Sequence, residues 1–558
     1  MSRYMRITGG RVYDPANGID GEVRDVRIAD GVVVDRFSDE VTAGQVRTID
    51  ATGMVVMPGG VDIHCHIASS SVNRARAMAG EEHATHVHHA SCGRRGGSGI
   101  VTPSTFTTGY RYAALGYTTA IEAAVSPSGA RQTHLELDDT PNLDAGFLLL
   151  VANHQRVIEL LAADRDEEAI AFVAELLQRT GAFGIKVVNP GGVAAWRNDP
   201  TQHVVKTIDD RINTSSVTPR RIMLAMADAA ERLRLPHAPH VHCNRLGVPG
   251  NVETTLDTLR AFEGRRVHLT HVQFHAYGRG EKGELTSGVQ RLVSALNEQP
   301  NATADVGQVM FGDAFTLTGD TPLEYLLYQL AGKSTRPYVS IESELESGCG
   351  LMPIEYSDKQ YLHSLQWAIG LELMLTSADP WRMLLSTDHP NGGSFLTYPA
   401  IIAALMSKAV RDEHVAKADA RAMGATRLRD LSRELTLGEV AIITRAGPAR
   451  TLGLRHKGHL GGGADGDVTG YAGDVSDPQR MFETPRYVIK AGRVLVEDGE
   501  LRGAAPGGRF RAEVEQDEKG DSLLRDWFAR HGSYDVAQLG VHEHERAAMR
   551  GVAGDASC

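Results

Sequence analysis

Two histidines one residue apart close the stretch Pro58–His66, which reads PGGVDIHCH. In an extended strand alternate side chains share a face, so His64 and His66 point one way and Cys65 the other. Two imidazoles on one face at a strand end are half of a metal site, provided further ligands arrive from elsewhere. Lys186 lies in FGIKVVN, an apolar run where an ammonium is costly to bury and must snorkel, pair or be chemically neutralised. Reaction with carbon dioxide would make it a carbamate able to bridge two metal ions; a salt-bridged structural lysine is the plainer alternative. In PHAPHVHCNRLG, His240 and His242 share a face. His242 is nearer the strand end and is the preferred ligand, with His240 left to packing or support. VHLTHVQFHAYG offers His268, His271 and His275, of which His271 is nearest the expected rim. In LLSTDHPNGG, Asp388 follows an apolar run. Alone it reads as a turn former; opposite imidazoles it reads as a ligand and general base. The histidine-rich stretch HATHVHH at 83–89 competes for metal, but its spacing is neither that of a zinc finger nor HExxH. It is expected to be a polar rim loop or partner contact.

The elements that must position these groups alternate between apolar β-type runs and helical patterns, the signature of βα units. Candidate strands fall at 61–66, 117–125, 145–153, 183–189, 238–244, 267–273, 302–309 and 383–389. Eight such units imply a (β/α)8 barrel, whose chemistry sits at the C-terminal strand ends. A doubly wound sheet is the alternative, and no GxGxxG follows its first strand. That barrel places HxH, Lys, His, His and Asp on strands one, four, five, six and eight. Short β runs with Gly and Asp-Gly turns occur both before Met57 and again near 467–501, and are expected to combine into one small sandwich. The expected organisation is 1–57 and 451–512 as two parts of that sandwich, 58–450 as the barrel and 513–558 as an extension with a frayed tail. Two inserts, about 67–116 and 310–382, would leave the C-terminal rim and shape a pocket.

A chain of 558 residues with 42% hydrophobic and 23% charged residues can bury a large core. A net charge of -12 argues against broad nucleic-acid or anionic-membrane binding. The start MSRYMRITGGRVYD lacks the apolar core of a signal peptide, and no run is long enough to span a bilayer. Five scattered cysteines without a CxxC pair suit a reduced, cytoplasmic setting.

The order of ligands resembles that of the amidohydrolase superfamily. PSTFTTGYRYAALGYTT, FGIKVVNPGG, HVHCNRLG, HLTHVQFHAYG and STDHPNGG further resemble the A components of formylmethanofuran dehydrogenase and of the bacterial formyltransferase/hydrolase complex. The resemblance spans nearly the whole chain and is looser in the late β region and the tail. It implies a barrel with a small β-sandwich and two zinc ions held by His64, His66, carboxylated Lys186, His242 and His271. It assigns Asp388 as metal ligand and catalytic acid/base. It also implies hydrolysis of a formylated furan carrier, whose anionic arm would meet Arg and polar residues of the inserts, within a multi-subunit complex. A cyclic-amide hydrolase of the dihydropyrimidinase or dihydroorotase type and a non-catalytic scaffold role stay open as alternatives.

Overall fold

Apolar strands buried on both faces organise the molecule. The computed structural model describes residues 3–91, 93–198, 205–212, 215–325, 338–342, 347–515, 518–533 and 535–554. Eight parallel strands form one sheet in chain order: Gly60–Cys65, Tyr117–Val125, Asp144–Leu150, Gly184–Val188, His240–His242, Val267–Leu269, Ala302–Asp305 and Met383–Leu384. The third, DAGFLLL, is buried at every position, as a strand covered by helices outside and by the barrel lumen inside must be. A parallel bridge between Cys65 and His389 joins the two outermost segments, with the His66 N–H donating to the His389 carbonyl at 2.7 Å. The sheet is thereby curled into the expected (β/α)8 barrel, with helices such as Asp166–Thr180, Pro219–Arg232 and Val289–Glu298 between its strands.

Several strands are shorter than the sequence suggests. The fifth and sixth hold three residues each and the eighth two. Both inserts also end in barrel helices, Thr105–Ala114 and Tyr361–Thr376, so the excursions are smaller than their predicted spans. Val61, Ile63, Ile121, Leu148, Phe183 and Leu384 form one apolar cluster with Leu452, Leu454 and Phe510. On the first and eighth strands these residues precede the candidate ligands, so they form an apolar floor beneath them.

The two chain ends share a nine-stranded sheet. Val55–Pro58 pairs antiparallel with Val468–Tyr471, and Tyr4–Asp14 pairs with Ile19–Ala29, Val55–Pro58 and Val46–Asp50. That branching lets the sheet enclose a core of Met5, Ile7, Val26, Ile28, Ile49 and Ile489. Val55–Pro58 runs almost directly into the first barrel strand, which couples the terminal sheet to His64 and His66.

The tail is not frayed over its described residues. Phe510–Ala512 pairs in parallel with Arg550–Val552, and Glu518–His531 packs on Asp166–Thr180, where Arg179 bonds both Glu175 and Asp521. Trp527, 1% exposed, lies against His154 and Phe528. Trp527→Ala should cost about 3–5 kcal/mol by the usual penalty for emptying a buried aromatic site. Urea unfolding reads this directly, and an unchanged midpoint would make the extension a dispensable appendage.

Candidate metal centre

At the C-terminal mouth of the barrel the sequence-predicted groups converge. His64 Nε2 and His66 Nε2 lie 3.1 and 3.2 Å from the same oxygen, Asp388 Oδ1. Two donors on one zinc at bond lengths near 2.0–2.1 Å and a tetrahedral angle are roughly 3.3 Å apart, so these separations suit a shared ion. A second group brings together His242, His271 and His275. Lys186 lies between the two: its Nζ is 3.5 Å from His64 Nε2 and 3.2 Å from Thr270 Oγ1, the hydroxyl that also meets His271 Nε2 at 3.2 Å. His271 Nδ1 is buried and has no hydrogen-bond partner among the described residues. An unpartnered buried nitrogen is what a metal ligand shows before its ion is counted.

Strand geometry explains part of this placement. Alternation holds for His64 and His66, and Cys65 turns away, its thiol directed to the Ile121 carbonyl at 3.4 Å. It fails for Asp62, which alternation would put on the same face. The pairing register slips between Asp62 and Cys65, and the Asp62 carboxylate accepts hydrogen bonds from the Tyr112 and Tyr398 hydroxyls, each at 2.8 Å. His271 and Asp388 lie beyond their strands, with φ of 37° and 50°. Left-handed backbone in such residues costs of order 1–2 kcal/mol and persists only where the surroundings enforce it. Gly307 is part of that enforcement: at φ 64°, a Cβ there would sit 2.4 Å from the His271 Cβ.

A ring of carboxylates orients the imidazoles. Glu122 meets His66 Nδ1 at 3.0 Å and accepts the Ile67 and Ala68 N–H groups. Asp305 meets His64 Nδ1 at 3.2 Å and His268 Nε2 at 3.1 Å, and accepts the His271 N–H. With Nδ1 of His64 and His66 held by carboxylates, Nε2 of each is left to bind a metal. Asp320, from the second insert, lies 3.3 Å from His242 Nε2 and accepts from Asn189 Nδ2. None of these three carboxylates was singled out from the sequence. Glu122 and Asp305 carried the signal that exposed Lys186, a charged residue inside an apolar strand; Asp320 carried none.

Burial and charge set the protonation states. Burial lowers Lys186 to about 8, against the pull of Asp388, Asp305 and Glu122. Burial alone would raise Asp388, but the neighbouring His64 and His271 and hydrogen bonds to His64 and His66 hold it well below the usual carboxylate range. Burial holds His271 well below its ordinary value. Burial also works to lower His66, yet its bonds to Asp388 and Glu122 raise it to about 9.

A cavity of about 730 Å3 opens over both groups. Its walls include Leu246, Phe274, Leu317, Met352, Ile354 and Tyr356, most of them from the second insert, whose described strands Gly312–Thr318, Tyr338–Glu342 and Ser347–Tyr356 form a small antiparallel sheet. The described residues of the first insert supply none of this lining. Its helix Ser70–Met78 packs Val72 and Ala75 beneath Phe315, Leu317 and Leu351 and so supports the wall from behind. The described lining residues include Glu324 and Glu355 and no arginine; Arg74 instead lines a small pocket beside His66. The His240 ring lies between those of His237, which it meets edge-on, and His268, tilted by 42°, and it belongs to neither metal group. The 83–89 histidines form no metal-type group among the described residues; His83 bonds Ser98, and His86, His88 and His89 are exposed.

A parallel barrel carrying this set of groups at its strand ends is the architecture of a barrel hydrolase. The amidohydrolase family model matches residues 47–496. Protein FwdA of Methanocaldococcus jannaschii is 41% identical over 514 residues, covering 89% of this chain and 88% of that protein. The A component of the formyltransferase/hydrolase complex Fhc of Methylorubrum extorquens is 41% identical over 547 residues, 94% of each. The crystal structure of the FhcABCD complex from M. extorquens with methylofuran contains a chain that matches with a TM-score of 0.91 and 37% identity, over 99% of this chain and all of that one. The chain belongs to the amidohydrolase family.

Two outcomes test the site. Glu122→Gln should weaken zinc binding about 10- to 100-fold, the usual effect of losing a ligand's supporting carboxylate. Because His66 must lose its proton to bind metal, apparent zinc affinity should rise about tenfold per pH unit until about pH 9 from this group alone. Competition with a chromophoric chelator measures both, and a pH-independent affinity would remove His66 from the ligand set.

Proposed function

We propose that the protein hydrolyses the N-formyl amide of a formylated furan carrier, of the methylofuran or methanofuran type. The products are formate and the free primary amine, and the protein is the hydrolase component of a multi-subunit one-carbon complex. One observation carries this reading: two groups of ligand side chains flank Lys186 at the base of a large, apolar-walled cavity. The chain that presents them is alike over nearly its full length to the A component of Fhc. The buried free thiols Cys65 and Cys243 suit a reduced, cytoplasmic compartment. No helix of the described residues is long and apolar enough to cross a membrane.

The donor set fits two zinc ions, one at His64, His66 and Asp388 and one at His242 and His271. Lys186 is the bridging candidate after carboxylation by carbon dioxide. With its ordinary pKa lowered to about 8, a substantial fraction of this lysine is neutral near physiological pH. The neutral amine forms an N–C bond with carbon dioxide and releases a proton, giving a carbamate. Zinc when bound lowers the pKa of water to about 7 and polarises a carbonyl.

Asp388 stays ionised at neutral pH and accepts the proton of the attacking water. It then delivers that proton to the departing nitrogen, which cannot leave as an anion. These charges are buried against the apolar cavity wall, where weak screening strengthens their action. The furan end of the carrier matches this wall in character, while a charged arm would extend past it toward the rim.

The test is to purify the protein with its complex, supply the formylated carrier and follow formate and zinc together. Formate release with two zincs per chain is expected. Two zincs without formate would instead favour a cyclic-amide hydrolase or a scaffold role. Asp388→Asn should retain most of the metal and lose at least about a hundredfold in formate release, the range for removing a general acid–base. Near-normal turnover would take Asp388 out of the proton path.

A further inference from the structure

His275 has no role in the reaction as described, yet it is fully buried and neither ring nitrogen has a hydrogen-bond partner among the described residues. A neutral imidazole carries one N–H and one lone pair, and leaving both unmatched in the interior is unfavourable. Its ring stacks on His271, with centroids 5.4 Å apart and planes 26° apart, and lies 5.1 Å from the His242 ring. One nitrogen of each ring can be chosen so that all three fall within 4.8 Å of one another. The sequence HVQFH gives His271 and His275 the spacing of the two zinc-binding histidines in HExxH, here on a short turn, Val272–His275. That turn is pinned where it ends, because the Thr255 hydroxyl donates to the His275 carbonyl at 2.9 Å.

We infer that His275 is a third imidazole ligand of the second metal, beside His242 and His271. This deepens the binuclear reading above and rests on it. His242 and His271 form part of the cavity wall and His275 does not, so His275 approaches the metal from behind. Three protein ligands that leave a position toward the cavity are the usual arrangement of a catalytic zinc. Three neutral imidazoles also hold the second metal without help from Lys186, so its retention does not depend on carboxylation of the lysine.

The test uses the full chain loaded with cobalt(II) in place of zinc. His275→Phe should lower metal content from two to one per chain, or speed loss of the second metal to a chelator at least about tenfold. His275→Cys should keep two metals and add a thiolate-to-cobalt charge-transfer band in the near ultraviolet, which arises only if position 275 is in the coordination sphere. Circular dichroism of both variants separates a local effect from unfolding, and the cysteine variant carries the test if the phenylalanine variant does not fold. Two cobalts with wild-type release rates in the phenylalanine variant, or no thiolate band in a folded, fully loaded cysteine variant, would overturn the assignment. Wild-type protein that holds two metals and releases formate, while the variants bind as it does, sinks only the role of His275. Wild-type protein that holds no metal pair sinks the binuclear reading with it.

Discussion

One carboxylate on the seventh strand ties the mouth of the barrel together. Asp305 meets His64 from the first strand and His268 from the sixth, accepts the His271 N–H just beyond the sixth, and accepts the hydroxyl of Ser386 near the eighth. It is fully buried, and burial alone would favour its neutral form. The charge of His64 and the hydrogen bonds from His268 and His64 instead hold it well below the usual carboxylate range. A buried carboxylate is tolerated only when its lone pairs are met by donors, so any shift in register among these strands leaves Asp305 unmet. The position of the ligands and the register of the barrel are therefore one constraint. Closure of the barrel at the His66 N–H and the His389 carbonyl adds to it, since it joins the residue after the first strand to the residue after Asp388.

Above this charged base the walls are apolar, and the contrast has a chemical consequence. Asp388 and the imidazoles are buried beside Leu317, Met352, Ile354 and Tyr356, so solvent screens them weakly and their interactions with a bound polar group are stronger than in water. The insert that forms the wall is also attached to the centre itself. Asp320 lies against His242, accepts from Asn189 and accepts the Leu323 N–H at the start of the next helical turn. Wall and candidate ligand are thus positioned by the same side chain.

Much of the site was legible in the residues themselves. His64, His66, Lys186, His242, His271 and Asp388 were all recognisable because each follows or interrupts an apolar run, where an imidazole or a charge demands a reason. The (β/α)8 architecture was legible for the same reason: strands covered on both faces must be apolar throughout. The ends of the strands were less so. Short strands such as His240–His242 and Met383–Leu384 end before the ligands that follow them, and alternation has no force where φ is positive, as at His271 and Asp388. The tail, read as frayed because of its charge, is ordered by partners that lie far from it in the chain, Asp166–Thr180 among them.

The sequence alone therefore determined which residues are candidate ligands, their order along the chain and the fold able to gather them. These follow from local burial and periodicity, which a single stretch reveals. Tertiary structure decided which carboxylate orients which imidazole and where His275 stands. Glu122 lies 56 residues from His66 and Asp305 lies 241 from His64, so their pairing exists only once the barrel closes. It also decided that the second insert walls the cavity while the first supports it from behind. Both inserts leave the same rim, and their division of labour depends on how each packs against the other rather than on any pattern within either.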